Sequence, residues 1–384
     1  MKINKKKFVV RMLLLISLVT LLIYGGYVLK TPQAQENIKN YYADVIAQFN
    51  NDEIKVAEEL YSFNYNQAIS GTIVGRKDAI LVVNKDGINE YTGSALPSWT
   101  EEIMLNSPLV ATNDKWLVIA EENGQKIITY DMHNVAYETE IDGDIQKITV
   151  NSSGYVGVIF AKAGYKNAFT LLKPTGEVIY TKHFANTTLI AADISSDSKT
   201  VAMVEADANG AVVNSGIVYL NSRGEVICNI AEKDVLLMGI KFFDDETISV
   251  GDSKIIKVDK NYQKTVLDDF SEQNVEGINI ENDKIIKLYR ESTELFAEKC
   301  KIAVSNANGK TVGNGEVAGK VKAVESLGKT IAVVLNDRVD FFDIGGKYLN
   351  TCYIQGDYKN IELFSNGNTV CIQTIDEVIV LKIR

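Results

Sequence analysis

Two histidines, four cysteines and a scatter of paired aspartates are the residues of this 384-residue chain whose types lend themselves to chemistry. A hydrolase needs a histidine poised beside a nucleophile, yet His133 falls in a turn-like His133-Asn134 pair and His183 in the run TKHFAN, and neither accompanies a serine or cysteine motif. There is no H-E-x-x-H, no Walker loop and no G-x-G-x-x-G following a strand. Cys228, Cys300, Cys352 and Cys371 are far apart, with no C-x-x-C spacing and no companion histidines, which excludes a zinc site or a thioredoxin-like motif. They read as small apolar strand residues, and a Cys352–Cys371 disulfide stays open for an exported domain. The pairs Asp142/Asp144, Asp244/Asp245 and Asp268/Asp269 have the donors for calcium or for acid–base work, but Asp also stabilises β-turns by bonding its own backbone, and that is the reading adopted. No catalytic residue, cofactor or metal ligand is assigned, and the chain is expected not to be an enzyme.

The elements around these residues repeat. From residue 70 onward short β-rich runs alternate with Asn, Asp, Gly and Ser turns, which makes the class all-β. A polar turn precedes a β-branched run at RKDAILVV, TNDKWLVIA, NSSGYVGVIF, SSDSKTVAM, FDDETISV, ENDKIIKLY, SLGKTIAVV and SNGNTVCIQ. The anchors Asp78, Asp114, Gly154, Ser198, Asp245, Asp283, Gly328 and Gly367 recur every ~41 residues, the length of a four-stranded propeller blade. A second turn follows most of them, at His133-Asn134, Thr175-Gly176, Arg223-Gly224, Asn261-Tyr262, Asn308-Gly309 and Gly345-Gly346. The spacing predicts an eight-bladed β-propeller, with seven blades as the alternative. The last repeat runs out of chain after Val378 to Ile383, leaving an open edge. The strand-like segment KVAEELYSF, residues 55–63, is expected to fill it and close the ring, against a helical alternative for Ile54 to Leu60.

Four segments result: a basic tail (1–11), one transmembrane helix (12–29), a stalk or linker (30–52) and the propeller (53–384). Met12 to Leu29 is uncharged and mostly apolar, long enough to cross most of a bilayer core, and the TPQAQE after it is a poor cleavage site. The basic residues before it set the N-terminus in the cytoplasm and the propeller outside. Ile38, Tyr41, Tyr42, Val45, Ile46 and Phe49 share one helical face, with the membrane, the domain or a second copy as alternatives for what it meets. Residues 1–30 hold six of the basic side chains and no acid, so the formal net charge of −10 leaves −16 on the remainder. An acidic domain repels phosphate backbones and anionic lipid, so nucleic acid is not an expected partner.

The turns, SSDSKTVAM above all, resemble those of WD40-like, TolB-like and quinoprotein-like propellers. The layout of basic tail, single span, short stalk and degenerate blades resembles a family of single-pass membrane-anchored propeller proteins of Firmicutes with no assigned activity. The resemblance implies architecture and a cell-envelope location, and no site residues. Quinoprotein dehydrogenases repeat a Gly and Trp motif through most blades, whereas here only Tyr91-Thr92-Gly93 followed by Trp99 is similar, with Trp116 the one other tryptophan.

In a propeller the hairpin between the second and third strands shares a face with the blade-to-blade connections. Those hairpins are long at Ala161 to Asn167, Glu205 to Gly216 and Arg290 to Glu298, against tight turns at Asp86-Gly87, Asn123-Gly124 and Asn336-Asp337. Tyr165, Arg290 and Phe296 are of the types that anchor interfaces and are the candidate partner-binding residues. The expected function is a non-enzymatic interaction or scaffold module of the cell envelope, binding an envelope protein. A sensor or binding protein for a small polar ligand or glycan is the alternative, and a glycan hydrolase or lyase the third.

Overall fold

Antiparallel meanders of four consecutive strands account for seven of the eight blades. The computed structural model describes residues 56–383 except 65–70, 211–212, 282, 291–298, 355–356, 365–366 and 376. The basic tail, the transmembrane segment at 12–29 and the stalk at 30–52 lie outside the described residues. Among the described residues no helix is long and apolar enough to cross a membrane.

The strands form eight four-stranded sheets. Blades 1 to 7 span residues 71–101, 108–140, 144–184, 188–232, 237–269, 274–318 and 323–353, and blade 8 combines residues 358–382 with Glu58–Asn64. The strands of a blade are called a to d in the order of their pairing. The a strands approach one another and line the axis, and the d strands form the rim. All eight anchor turns lie between strands a and b, and the six second turns lie between c and d. Both kinds open on one face of the ring; the b–c hairpins and the blade-to-blade connections open on the other.

The seam between blades is where the core sits. Eight apolar clusters are found, one at each seam: Leu81 and Ile88 meet Leu117 and Ile119 between blades 1 and 2, and Ile286 and Leu288 meet Ile331 and Val333 between blades 6 and 7. This explains why strands such as Ala79–Asn84 and Asn167–Leu172 are buried at every position: a blade is covered on both faces, so its middle strands read as continuous apolar runs. Cys352 belongs to the cluster between blades 7 and 8 and Cys371 to that between blades 8 and 1, so they face opposite ways. All four cysteines are free, which removes the disulfide considered from sequence.

The second turns have a packing reason. The fourth residue of the turn adopts a left-handed φ of 83° at Gly176 and 78° at Gly224. A Cβ there would lie 2.6 Å from the Tyr137 ring and 2.8 Å from the Tyr180 ring of the preceding blade. Glycine is needed twice over, for the backbone and for the close approach.

Blade 8 lacks its own d strand, and Glu58–Asn64 takes that place, three residues further along than the predicted start. Its ladder runs from Glu58 opposite Lys382 to Asn64 opposite Glu377. Just before it, the Ala57 N–H donates to the Thr351 carbonyl of blade 7 at 2.8 Å, and Phe63 stacks on Tyr91 of blade 1 with ring centroids 4.2 Å apart. One strand therefore touches three blades.

Candidate functional site

The b–c face of blades 3 and 4 is built from two long hairpins that the flanking strands hold in place. At the start of strand c in blade 3, buried Asn167 accepts the Leu189 N–H at 2.9 Å and donates to Gln146 at 2.7 Å, fixing the connection into blade 4. The start of strand c in blade 4 repeats the device: Ser215 Oγ donates to the Val235 carbonyl at 2.6 Å and accepts the Leu237 N–H at 3.0 Å. Above this frame the hairpins join. Lys166 Nζ donates to Asn209 Oδ1 at 3.2 Å, and Asn209 Nδ2 donates to the Asn186 carbonyl of the connection at 3.1 Å. Asp207 accepts the Asn209 N–H at 2.9 Å, an Asx turn that orients the bridging amide.

Tyr165 stands on this surface. It is 45% exposed, and its ring lies over His183 with centroids 4.5 Å apart and planes at 35°. Val213 of the neighbouring hairpin is 38% exposed. Arg290, three blades away, is turned inward: Nε donates to Glu276 Oε1, and Nη2 donates to the Gly319 carbonyl at 2.6 Å. It ties blade 6 to the connection into blade 7, whereas Tyr165 presents its ring to solvent. Phe296 lies outside the described residues. The structure does not bring Tyr165 and Arg290 together.

Several of the other residues weighed for chemistry are in structural contacts. His133 Nε2 is 3.0 Å from Glu90 Oε1, with its ring over Trp99 at 4.7 Å. Asp142 pairs with Lys162 across the hairpin base, Asp268 with Lys287 at 2.6 Å, and Asp269 accepts the Ser271 hydroxyl at 2.7 Å. Burial pushes the Cys300 thiol up to about 12 and the Cys352 thiol up to about 11, so neither is a thiolate at neutral pH.

Carboxylates on the axial strands were missed from sequence. Asp193, Glu281, Glu325 and Glu362 all sit on a strands, and burial raises the pKa of each. Three of them reach to or from the next blade: Asp193 accepts the Phe242 N–H at 2.8 Å, Glu325 accepts Asn279 Nδ2 at 2.9 Å, and Glu362 accepts the Gly75 N–H at 3.2 Å. Neighbouring a strands do not share a backbone ladder, so side chains bridge them. Asn360 adds a bond to the Ile73 carbonyl at 3.0 Å across the seam between blades 8 and 1. The sequence signal at Asp193 was an acid in a mostly apolar strand, TLIAADI.

Glu362 makes that seam sensitive to pH. Burial pushes its carboxyl up to about 7 from an ordinary 4.5, against the opposing pull of the Gly75 N–H and the Asn360 amide. The folded protein therefore holds this proton more tightly than the unfolded chain, and its contribution to stability falls as pH rises from about 4.5 to about 7. Glu362→Gln is expected to be more stable than the parent at pH 8, by up to about 3 kcal/mol, and equal to it at pH 4. Urea midpoints at the two pH values check this; parallel pH profiles would refute it.

No curated protein matches the chain in sequence. Its fold is similar to that of BamB from Moraxella catarrhalis, with TM-score 0.55 and 16% identity over 85% of this chain and 100% of that one. It is also similar to the Pan2 WD40 domain of Neurospora crassa (TM-score 0.46, 13% identity, 72% of this chain and 88% of that one). Hydrazine synthase of Kuenenia stuttgartiensis matches with TM-score 0.46 and 10% identity over 86% of this chain and 98% of that one. At such identities the BamB likeness speaks for the propeller fold alone. Residues 46–383 match DUF5711, and the chain belongs to this family of unknown function.

Proposed function

We propose that this propeller is a non-enzymatic protein-interaction module, held by its N-terminal apolar segment on the outer side of a cell membrane and binding an envelope protein through the b–c face of blades 3 and 4. The observation that carries the reading is the composite surface there: two long hairpins, bridged by Lys166 and Asn209, offer Tyr165 and Val213 to solvent on a rigid frame. A loop surface fixed from below binds without the cost of ordering, and a tyrosine ring supplies contact area with few torsions to freeze. The propeller fold shared with BamB and the acidic charge of the domain fit this role. The membrane anchoring rests on residues 12–29 and the basic cluster before them.

The test is crosslinking of the full chain in intact cells, followed by recovery of the partner. Tyr165→Ala is expected to weaken the recovered complex by about 2 kcal/mol, roughly 30-fold, with the melting temperature nearly unchanged. Undiminished capture would move the site elsewhere. A cysteine at Ser196, in a variant without the native cysteines, should react with a membrane-impermeant thiol reagent in whole cells; labelling only after lysis would invert the topology.

A further inference from the structure

The opposite face of the ring carries a second feature, between blades 4 and 5. At the two preceding seams a tyrosine of strand d, Tyr137 or Tyr180, lies under the turn glycine of the next blade, Gly176 or Gly224. At the seam of blades 4 and 5 the pair is inverted. Cys228 pairs with Tyr219 just before the bulge, as Tyr180 pairs with Leu171, so a small side chain occupies the tyrosine's place. The facing turn carries Tyr262 where its counterparts carry Gly176, Gly224, Gly309 and Gly346. Tyr262 takes the same left-handed backbone, φ 61°, and meets Tyr219 edge-on at 5.0 Å. Moving the ring from the strand to the turn leaves the seam open, as a crevice of about 270 Å³.

The walls of this crevice point to a ligand class. Phe242 and Tyr262 contribute rings and Thr200 a hydroxyl; Tyr219 and Thr247 are buried behind them, and Ser195 Oγ donates to Asp197 Oδ1 at 2.8 Å. The Tyr219 hydroxyl and Thr247 Oγ1, both buried, are 2.5 Å apart. Asp197 and Asp259 spend Oδ1 on their own turns, accepting the Lys199 N–H at 3.0 Å and the Gln263 N–H at 2.8 Å. Asp245 and Lys260, both exposed, make no hydrogen bond or ion pair to any described residue and stand free on the same crevice. A free ammonium opposes a cationic ligand, and the surrounding carboxylates oppose an anionic one. A neutral, hydroxyl-rich molecule accepts a hydrogen bond from Lys260 and donates to Asp245 while laying a C–H face on the rings of Phe242 and Tyr262. The volume is near the small end of the roughly 300–1,000 Å³ found for small-molecule sites. The geometry points to a saccharide-binding crevice between blades 4 and 5 that takes a mono- or disaccharide. It lies on the opposite face from the proposed partner surface and does not depend on it.

Saturation-transfer NMR on the full chain tests this with maltose and N,N′-diacetylchitobiose as neutral probes, and spermidine and citrate as charged ones. At least one neutral sugar is expected to bind, with saturation strongest on the C–H protons of one ring face. The double variant Asp245→Asn, Lys260→Met alters two exposed turn residues and is expected to weaken that binding at least tenfold with an unchanged melting temperature. Silence from both sugars, a sugar signal that the double variant leaves intact, or binding of spermidine or citrate in place of the sugars would overturn the assignment.

Discussion

Removal of Glu58–Asn64 is expected to abolish the cooperative unfolding transition of the propeller, while removal of residues 33–50 leaves the melting temperature within a degree or two. The strand supplies the outermost ladder of blade 8, and without it the N–H and C=O groups of Glu377–Lys382 become an open edge. The loss is not confined to one ladder. Tyr61 and Phe63 pack against the cluster between blades 8 and 1, where Val378 is 0% and Val380 1% exposed. The Ala57 bond to Thr351 joins the same segment to blade 7. A cost of at least about 5 kcal/mol follows, comparable with the whole stability of an ordinary domain. Calorimetry with light scattering reads the result: the strand deletion should aggregate and show no sharp transition. Equal melting temperatures for the two deletions would mean that the ring is held by its other seams alone.

The second large effect is expected at the seam between blades 6 and 7. Arg338 and Asp340 lie on strand c of blade 7, 7% and 6% exposed. Arg338 Nε donates to both Asp340 oxygens at 3.1 and 3.2 Å, and Nη2 donates to the Ala318 carbonyl of blade 6 at 2.9 Å. Thr351 Oγ1 adds a bond to Asp340 Oδ1 at 2.7 Å. Burial raises the Asp340 pKa and Arg338 works against that rise, so the carboxylate depends on its partner. Arg338→Met is expected to cost about 3–5 kcal/mol, because it strands a charge between two blades. The double variant Arg338→Met, Asp340→Leu removes the charge as well and should recover most of that loss. Urea denaturation of the two singles and the double decides it. A double variant as unstable as Arg338→Met would place the cost in lost packing of the arginine stem.

Much of this architecture was legible because turns are local. Asp197, Asn221 and Asp259 each accept backbone N–H groups two residues on, a property of the residue itself, so the anchors and second turns marked the blade count and the hairpins correctly. The open edge after Val378 to Ile383 likewise announced that another strand was needed, since backbone groups at an edge demand partners. What the sequence could not contain was which blade faces which residue. Arg290 has the type of an interface anchor, and only the position of Glu276 and the Gly319 carbonyl turns it inward. Glu362 reads as one polar residue among several in YKNIEL until ring closure sets it against Gly75, 287 residues away. The exchange of ring and small residue between Cys228 and Tyr262 makes sense only across the seam that joins them. Local chemistry determined the repeat, its turns and the need for closure. Burial and the pairing of distant blades decided which side chains remain free to meet another molecule, because both depend on neighbours that closing the ring brings together.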